Sequence, residues 1–293
     1  MLSLLAANAA VADPIQWSEL GLRPYLFQIG GFQLRYYSLA YLIGILFAYW
    51  HLSKMIRSPG APMAQRHADD LFFYGTLGVI LGGRLGYAAF YQPELFGGLQ
   101  LFQLWNGGMS FHGGVLGVLA AITWVAWRGN LNWLRVCDYV AVNVPVGYML
   151  GRIANFINGE LYGRAVESDV PWAMVFPGGG DVARHPSQLY QAGLEGALLA
   201  ILLIALFWGT RARYRAGLLV GIFTVGMGIG RFVNEFFREP DAQLADFARE
   251  SGLSMGQWLS LPMIAVGVGV MIYALARPPV SGTKKPAAKP HAA

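Results

Sequence analysis

The chain has 293 residues, 55% of them hydrophobic and 13% charged, roughly half the charged share of a soluble domain, which excludes an ordinary water-soluble enzyme. Its net charge of +5 comes from basic residues that form no patch interleaved with aromatics, so nucleic acid is not the expected partner. A single cysteine, Cys137, excludes an internal disulfide and any multi-cysteine metal site.

The first residues, MLSLLAANAAVADP, resemble a secretory signal but lack its positive start, so they are expected to stay in place. Residues 13–35, with Trp17 and Pro24, are expected as an interfacial helix. Seven apolar windows then follow at 36–53, 70–91, 109–127, 136–157, 188–208, 217–237 and 257–276, each near the length that crosses ~30 Å at ~1.5 Å per residue. Thirty-eight glycines and nine tryptophans suit such spans, because glycine lets helices approach closely and tryptophan favours the headgroup region. The windows predict an all-α polytopic membrane protein of about seven transmembrane helices.

Basic residues sort by side. Lys54, Arg57, Arg66, Arg128, Arg135, Arg211, Arg213, Arg215, Arg277, Lys284, Lys285 and Lys289 place twelve of the 21 lysines and arginines on one side. The other side has six: Arg23, Arg35, Arg164, Arg184, Arg238 and Arg249. The positive-inside rule predicts a cytoplasmic C-terminus and an external N-terminus. A long outer loop, 158–187, predicts a small external cap or arm. Residues 1–277, this loop included, are expected to form a single integral-membrane domain, and the basic tail 278–293 to be disordered.

Three arginines fall inside the windows, each after a glycine: Gly83-Arg84, Gly151-Arg152 and Gly230-Arg231. Each comes about 14 to 16 residues along an outward-running span, which predicts one layer about 21 to 24 Å from the cytoplasmic boundary. Arg152 and Arg231 carry Asn155 and Asn234 at i+3, on the same helix face, and Glu235 follows at i+4 from Arg231. An intramembrane arginine marks a functional site by default, because burying it in hydrocarbon is costly. His112, in GMSFHGG, and Glu195 fall at the same level on downward spans, the histidine with small neighbours that leave room for a ligand. Glu195 reads as the counter-ion of an arginine, and Cys137 as inert packing at the inner end. His112 has no second histidine or cysteine at ligand spacing, so no metal is expected.

Arginines with asparagine donors in a low-dielectric setting suit a phosphate, which guanidinium grips with forked hydrogen bonds. At that depth the phosphate is a phospholipid headgroup. A histidine beside it supplies a base near neutral pH, and the arginines steady charge on a phosphate leaving group. The residues alone lead to a phospholipid-using transferase or hydrolase, with a phospholipid transporter or flippase as the alternative from another class. A transporter should also carry charge in the inner half of its spans, whereas here it concentrates in the outer half.

GRIANFINGELYG at 151–163 resembles the signature of bacterial prolipoprotein diacylglyceryl transferases. RYYSLAYLIG at 35–44, FHGG at 111–114, HPSQLYQAGLEG at 185–196, RFVNEFFREPDAQ at 231–243 and SMGQWLSLPM at 254–263 are similar to further blocks of that family, in the same order. The resemblance implies transfer of the diacylglyceryl group of phosphatidylglycerol to the lipobox cysteine thiol of a preprolipoprotein, with no cofactor. It also implies a bacterial inner-membrane location and an active site toward the periplasm. The residues it implies are Arg152 and Arg231 on the phosphate, His112 or Tyr37 near the thiol proton, and Asn155, Glu160, Gly163, Glu195, Asn234 and Glu235 at motif positions. Arg84 is expected to support them, and the chain is read as a monomer.

Overall fold

A computed structural model describes residues 14–104, 107–166, 170–239 and 251–280. The signal-like start and nearly all of the basic tail lie outside the described residues, as does Arg249. Helices account for most of the chain, and each of the seven apolar windows falls on a helix or a helical run. These are α1 (Tyr36–Met55); α2 (Gln65–Leu77), continued through a π-helical turn (Gly78–Gly82) into α3 (Gly83–Tyr91); α4 (Phe111–Arg128); and α5 (Trp133–Ala141) followed by α6 (Val144–Ile157). Next come α7 (Ser187–Gln191), which passes through a second π-helical turn (Ala192–Leu198) into α8 (Leu199–Gly209), then α9 (Leu218–Asn234) and α10 (Met255–Leu275). Three of these runs, Trp133–Ile157, Ser187–Gly209 and Met255–Leu275, are long and apolar enough to cross a membrane.

The interfacial helix expected over 13–35 is not formed. This segment holds a short strand β1 (Ile15–Gln16), a 3-10 turn (Trp17–Leu20) and a hairpin of β2 (Tyr25–Ile29) with β3 (Phe32–Arg35), so the chain is not purely helical. Gly30-Gly31 at the tip is the reason, since Gly30 takes a φ of 57° that tight hairpin turns require and helices do not. In the outer loop, β4 (Met174–Val175) pairs in parallel with β1, Ile15 opposite Met174.

The chain divides into two compact units. The first comprises the described residues within 1–43, 145–199 and 224–266. Here Trp17 Nε1 donates to Phe156 O at 2.9 Å, satisfying a carbonyl in the last turn of α6. Gly163 lies between two other backbone segments: a Cβ there would stand 2.6 Å from His185 O, and Gly163 N donates to that carbonyl at 2.8 Å.

The second unit comprises the described residues within 44–144, 200–223 and 267–293. In it, glycines at four-residue spacing bring two helical runs close, Gly78, Gly82 and Gly86 facing Gly113 and Gly117 of α4. A Cβ on Gly86 would stand 2.7 Å from Gly113 Cα, so only glycine allows the backbones this close. Asp138, 1% exposed, accepts from the backbone N–H groups of Gly217 at 2.8 Å and Val220 at 2.9 Å, closing the start of α9. His51 accepts from Trp208 Nε1 at 3.0 Å through Nε2, which leaves its Nδ1 to donate to Asn143 Oδ1 at 2.7 Å.

Candidate active site

The polar centre of the first unit starts from α6. Arg152 lies one turn beyond Tyr148, and its guanidinium carbon sits 4.8 Å from the centre of that ring, a cation–π contact along one helix face. The Tyr148 hydroxyl donates to Glu195 Oε2 at 2.7 Å. Glu195 is 1% exposed and sits in the π-helical turn, where one extra residue re-aims the side chains that follow. Gly230 makes room for it: a Cβ there would stand 2.7 Å from Glu195 Cγ. Arg152 and Arg231 both act electrostatically on Glu195, and fully buried Asn234 stands beside it.

Arg152 itself has only a long contact to Asn155 Oδ1, 3.5 Å, and no ion pair among the described residues. Asn155 is better engaged through its amide, which donates to Glu160 Oε1 at 2.9 Å, as does Asn158. The Glu160 backbone carbonyl accepts from Gln188 Nε2 at 2.7 Å, so α7 ties down the turn after α6. Tyr37, at the start of α1, lies within electrostatic reach of Arg152 and Glu160, and its hydroxyl is 3.4 Å from that of Tyr41.

Arg231 is placed differently. Its Nη2 lies 2.6 Å from Glu235 Oε1, one turn on, and Arg238 Nη1 reaches the same oxygen at 3.6 Å. Glu235, 3% exposed, also accepts from Ser254 Oγ at 2.7 Å through Oε2. Tyr37, Arg152, Asn155, Glu160, Gly163, Glu195, Arg231, Asn234 and Glu235 thus all belong to the first unit. Tyr148, Gln188, Arg238 and Ser254 join them without having been singled out from sequence. Ser254 had a readable signal, since S-x-x-Q opens a capping box; Tyr148 had none, being 47 residues from Glu195.

His112 and Arg84 belong to the second unit. His112 stands exposed in the first turn of α4, edge-on to Phe111, after Ser110 caps the helix by accepting from Gly113 N at 3.3 Å. Arg84 is 6% exposed and, among the described residues, donates only to backbone carbonyls: those of Leu101 at 2.8 Å, Gln100 at 2.7 Å, Gly108 at 3.2 Å and Gln103 at 3.4 Å, and that of Gly107. It holds the segment leading to α4.

Apolar helices, three of membrane-crossing length among the described residues, that set half-buried arginines beside buried carboxylates and a tyrosine define a helical membrane protein with a built polar centre. The profile of the prolipoprotein diacylglyceryl transferase family matches residues 24–273. The chain is 65% identical over 279 residues to the phosphatidylglycerol-prolipoprotein diacylglyceryl transferase of Erythrobacter litoralis, covering 95% of this chain and 98% of the relative. The enzymes of the same name from Pseudoalteromonas translucida and Zymomonas mobilis are 51% and 47% identical, over 86% and 88% of this chain and 92% and 93% of theirs. The chain belongs to the prolipoprotein diacylglyceryl transferase family.

Proposed function

We propose that this chain transfers the diacylglyceryl group of phosphatidylglycerol to the lipobox cysteine of a preprolipoprotein. The thiol sulfur attacks the glyceryl carbon that carries the phosphate. A carbon–sulfur bond forms, the carbon–oxygen bond breaks, and the electron pair leaves with glycerol 1-phosphate. The observation that supports this reading best is Arg152, a cation inside an apolar helix that rests on an aromatic face and a long amide contact and has no ion pair within 4.0 Å among the described residues. A phosphate supplies a direct ionic partner, and guanidinium meets it with forked bonds.

Arg152 and Arg231 hold the phosphate, the first oriented by Tyr148 and Glu195, the second by Glu235. As the leaving group gains charge, both strengthen their hold, which lowers the barrier as an oxyanion hole does. Asn155 and Glu160 fix the end of α6 that presents Arg152, and Asn234 and Gly163 keep the surrounding backbone in place. His112 takes the thiol proton; the second route is through Tyr37, which receives it as its own hydroxyl proton passes to the lipid's phosphate. Arg84 supports from outside the phosphate. No cofactor takes part. The protein spans the inner membrane seven times as a monomer, with its N-terminus outside, its C-terminus in the cytoplasm and its active site open to the periplasmic side.

The test is purified protein in mixed micelles with phosphatidylglycerol and a lipobox peptide, read by mass spectrometry. A mass gain of one diacylglyceryl group on the cysteine is expected; an unmodified peptide beside folded protein would overturn the reading.

A further inference from the structure

Ser254 immediately precedes α10 and touches none of the groups assigned above to phosphatidylglycerol or the thiol. Its backbone N–H donates to Gln257 Oε1 at 3.0 Å, and its Oγ accepts from Gln257 N at 3.1 Å, the reciprocal pair that opens a helix. The hydroxyl has one proton, and that proton goes to Glu235 Oε2 at 2.7 Å. Gly256 admits the carboxylate to the helix start: a Cβ there would stand 2.6 Å from Glu235 Cδ. The positive end of α10 favours the negative charge so placed.

One carboxylate thus faces two ways. Its Oε2 is fixed to the first turn of α10, and its Oε1 holds Arg231 at 2.6 Å and Arg238 at 3.6 Å. A free carboxylate turns readily about its terminal torsion, which has broad wells. Arg231, with a side chain 28% exposed, has no other carboxylate within 4.0 Å among the described residues. Whatever fixes the carboxylate plane therefore fixes the direction of the guanidinium.

We propose that Ser254 is a positioning residue for Arg231: its hydroxyl, locked by the helix cap, orients the Glu235 carboxylate and through it the guanidinium that meets the lipid phosphate. The proposal rests on the reading of Arg231 as a phosphate ligand. It assigns the S-x-x-Q sequence at 254–257 two tasks, starting α10 and aiming a side chain of α9.

The two tasks separate by substitution. Ser254→Ala removes both the cap acceptor and the donor to Glu235. Ser254→Gly keeps nearly all of the cap's stability but has no donor for Glu235. Ser254→Thr keeps both. Steady-state transfer to a lipobox peptide, with thermal unfolding in the same detergent, should show Ser254→Gly melting closer to the wild type than Ser254→Ala. Both should lose about tenfold or more in kcat/KM, the scale of one hydrogen bond to a charged group, and Ser254→Thr should recover most of it.

In a Glu235→Gln background, Ser254→Ala should add little further loss, because the residue through which it acts is already altered. Should Glu235→Gln leave too little turnover to measure, the same cycle is read from phosphatidylglycerol affinity by thermal shift. Losses that simply add, activity that follows melting temperature across the three variants, or a wild-type kcat/KM in Ser254→Gly would each overturn the proposal. A wild-type protein that transfers nothing would instead remove the function on which it rests.

Discussion

Replacing Arg84 by methionine keeps the aliphatic reach of the side chain and removes every donor. Three carbonyls lose a short partner: Leu101 O at 2.8 Å, Gln100 O at 2.7 Å and Gly107 O; two more, Gly108 O and Gln103 O, lose longer ones. At about 1 kcal/mol for each short bond left unmade, the substitution costs about 3 kcal/mol, the longer contacts adding little. Arg84→Lys keeps the charge but cannot fork, so it should recover only part of that loss. Thermal unfolding in detergent measures the cost, limited proteolysis reports whether residues 99–104 and 107–110 come loose, and steady-state transfer gives KM for phosphatidylglycerol. The structure predicts a destabilised protein, faster cleavage before α4 and an unchanged lipid KM in the folded fraction. A variant as stable and as protease-resistant as the wild type, with a lipid KM raised about tenfold, would put the Arg84 guanidinium on the lipid and refute its role in the loop.

Arg152→Lys should cut kcat/KM about a hundredfold or more while the protein stays folded, since one ammonium cannot replace a forked pair of bonds to phosphate; peptide mass gain measures it. Gly113→Ala should lower thermal stability by about 1 to 3 kcal/mol or more, because its Cβ would stand 2.9 Å from Gly86 Cα, while Gly114→Ala, whose nearest neighbour is Val79 O at 3.7 Å, should change little. Burial holds His185 below its ordinary value of 6.5, so the folded state binds its proton less readily than the unfolded chain. The stability this contributes is present above 6.5 and lost as pH falls below it. The melting temperature should therefore drop toward pH ~5, and His185→Phe should flatten that drop.

The helices were readable because long apolar runs leave few other structures open to a chain, and every window found a helix. The hairpin at 25–35 was readable too: Gly-Gly between YLFQI and FQLR is a turn signal, but Trp17 and Pro24 draw attention to the interface instead. The two π-helical turns leave no comparable mark. Gly78–Gly82 and Ala192–Leu198 read as ordinary helix, and only the observed backbone shows the extra residue that sets Glu195. Long-range partners are hidden for a different reason. Tyr148 meets Glu195 across a loop whose path no local pattern encodes, and Arg84 meets carbonyls, which every residue has and no letter of the sequence identifies.

The three Gly-Arg pairs make the point in physical terms. From sequence they share one setting, a guanidinium after glycine, deep in an apolar run, with the same cost of burial, and only Arg84 lacks an asparagine at i+3. The structure meets that cost in three ways. Arg84 saturates its donors with the carbonyls of one backbone segment, which leaves no fork for a ligand. Arg231 takes a carboxylate one turn along its own helix, so a phosphate must share it with Glu235. Arg152 has a tyrosine face and a long amide contact, and among the described residues no ion pair. Charge balance therefore ranks them as anion ligands in the order Arg152, Arg231, Arg84, and a phosphate arriving in this environment gains most where the protein has supplied least.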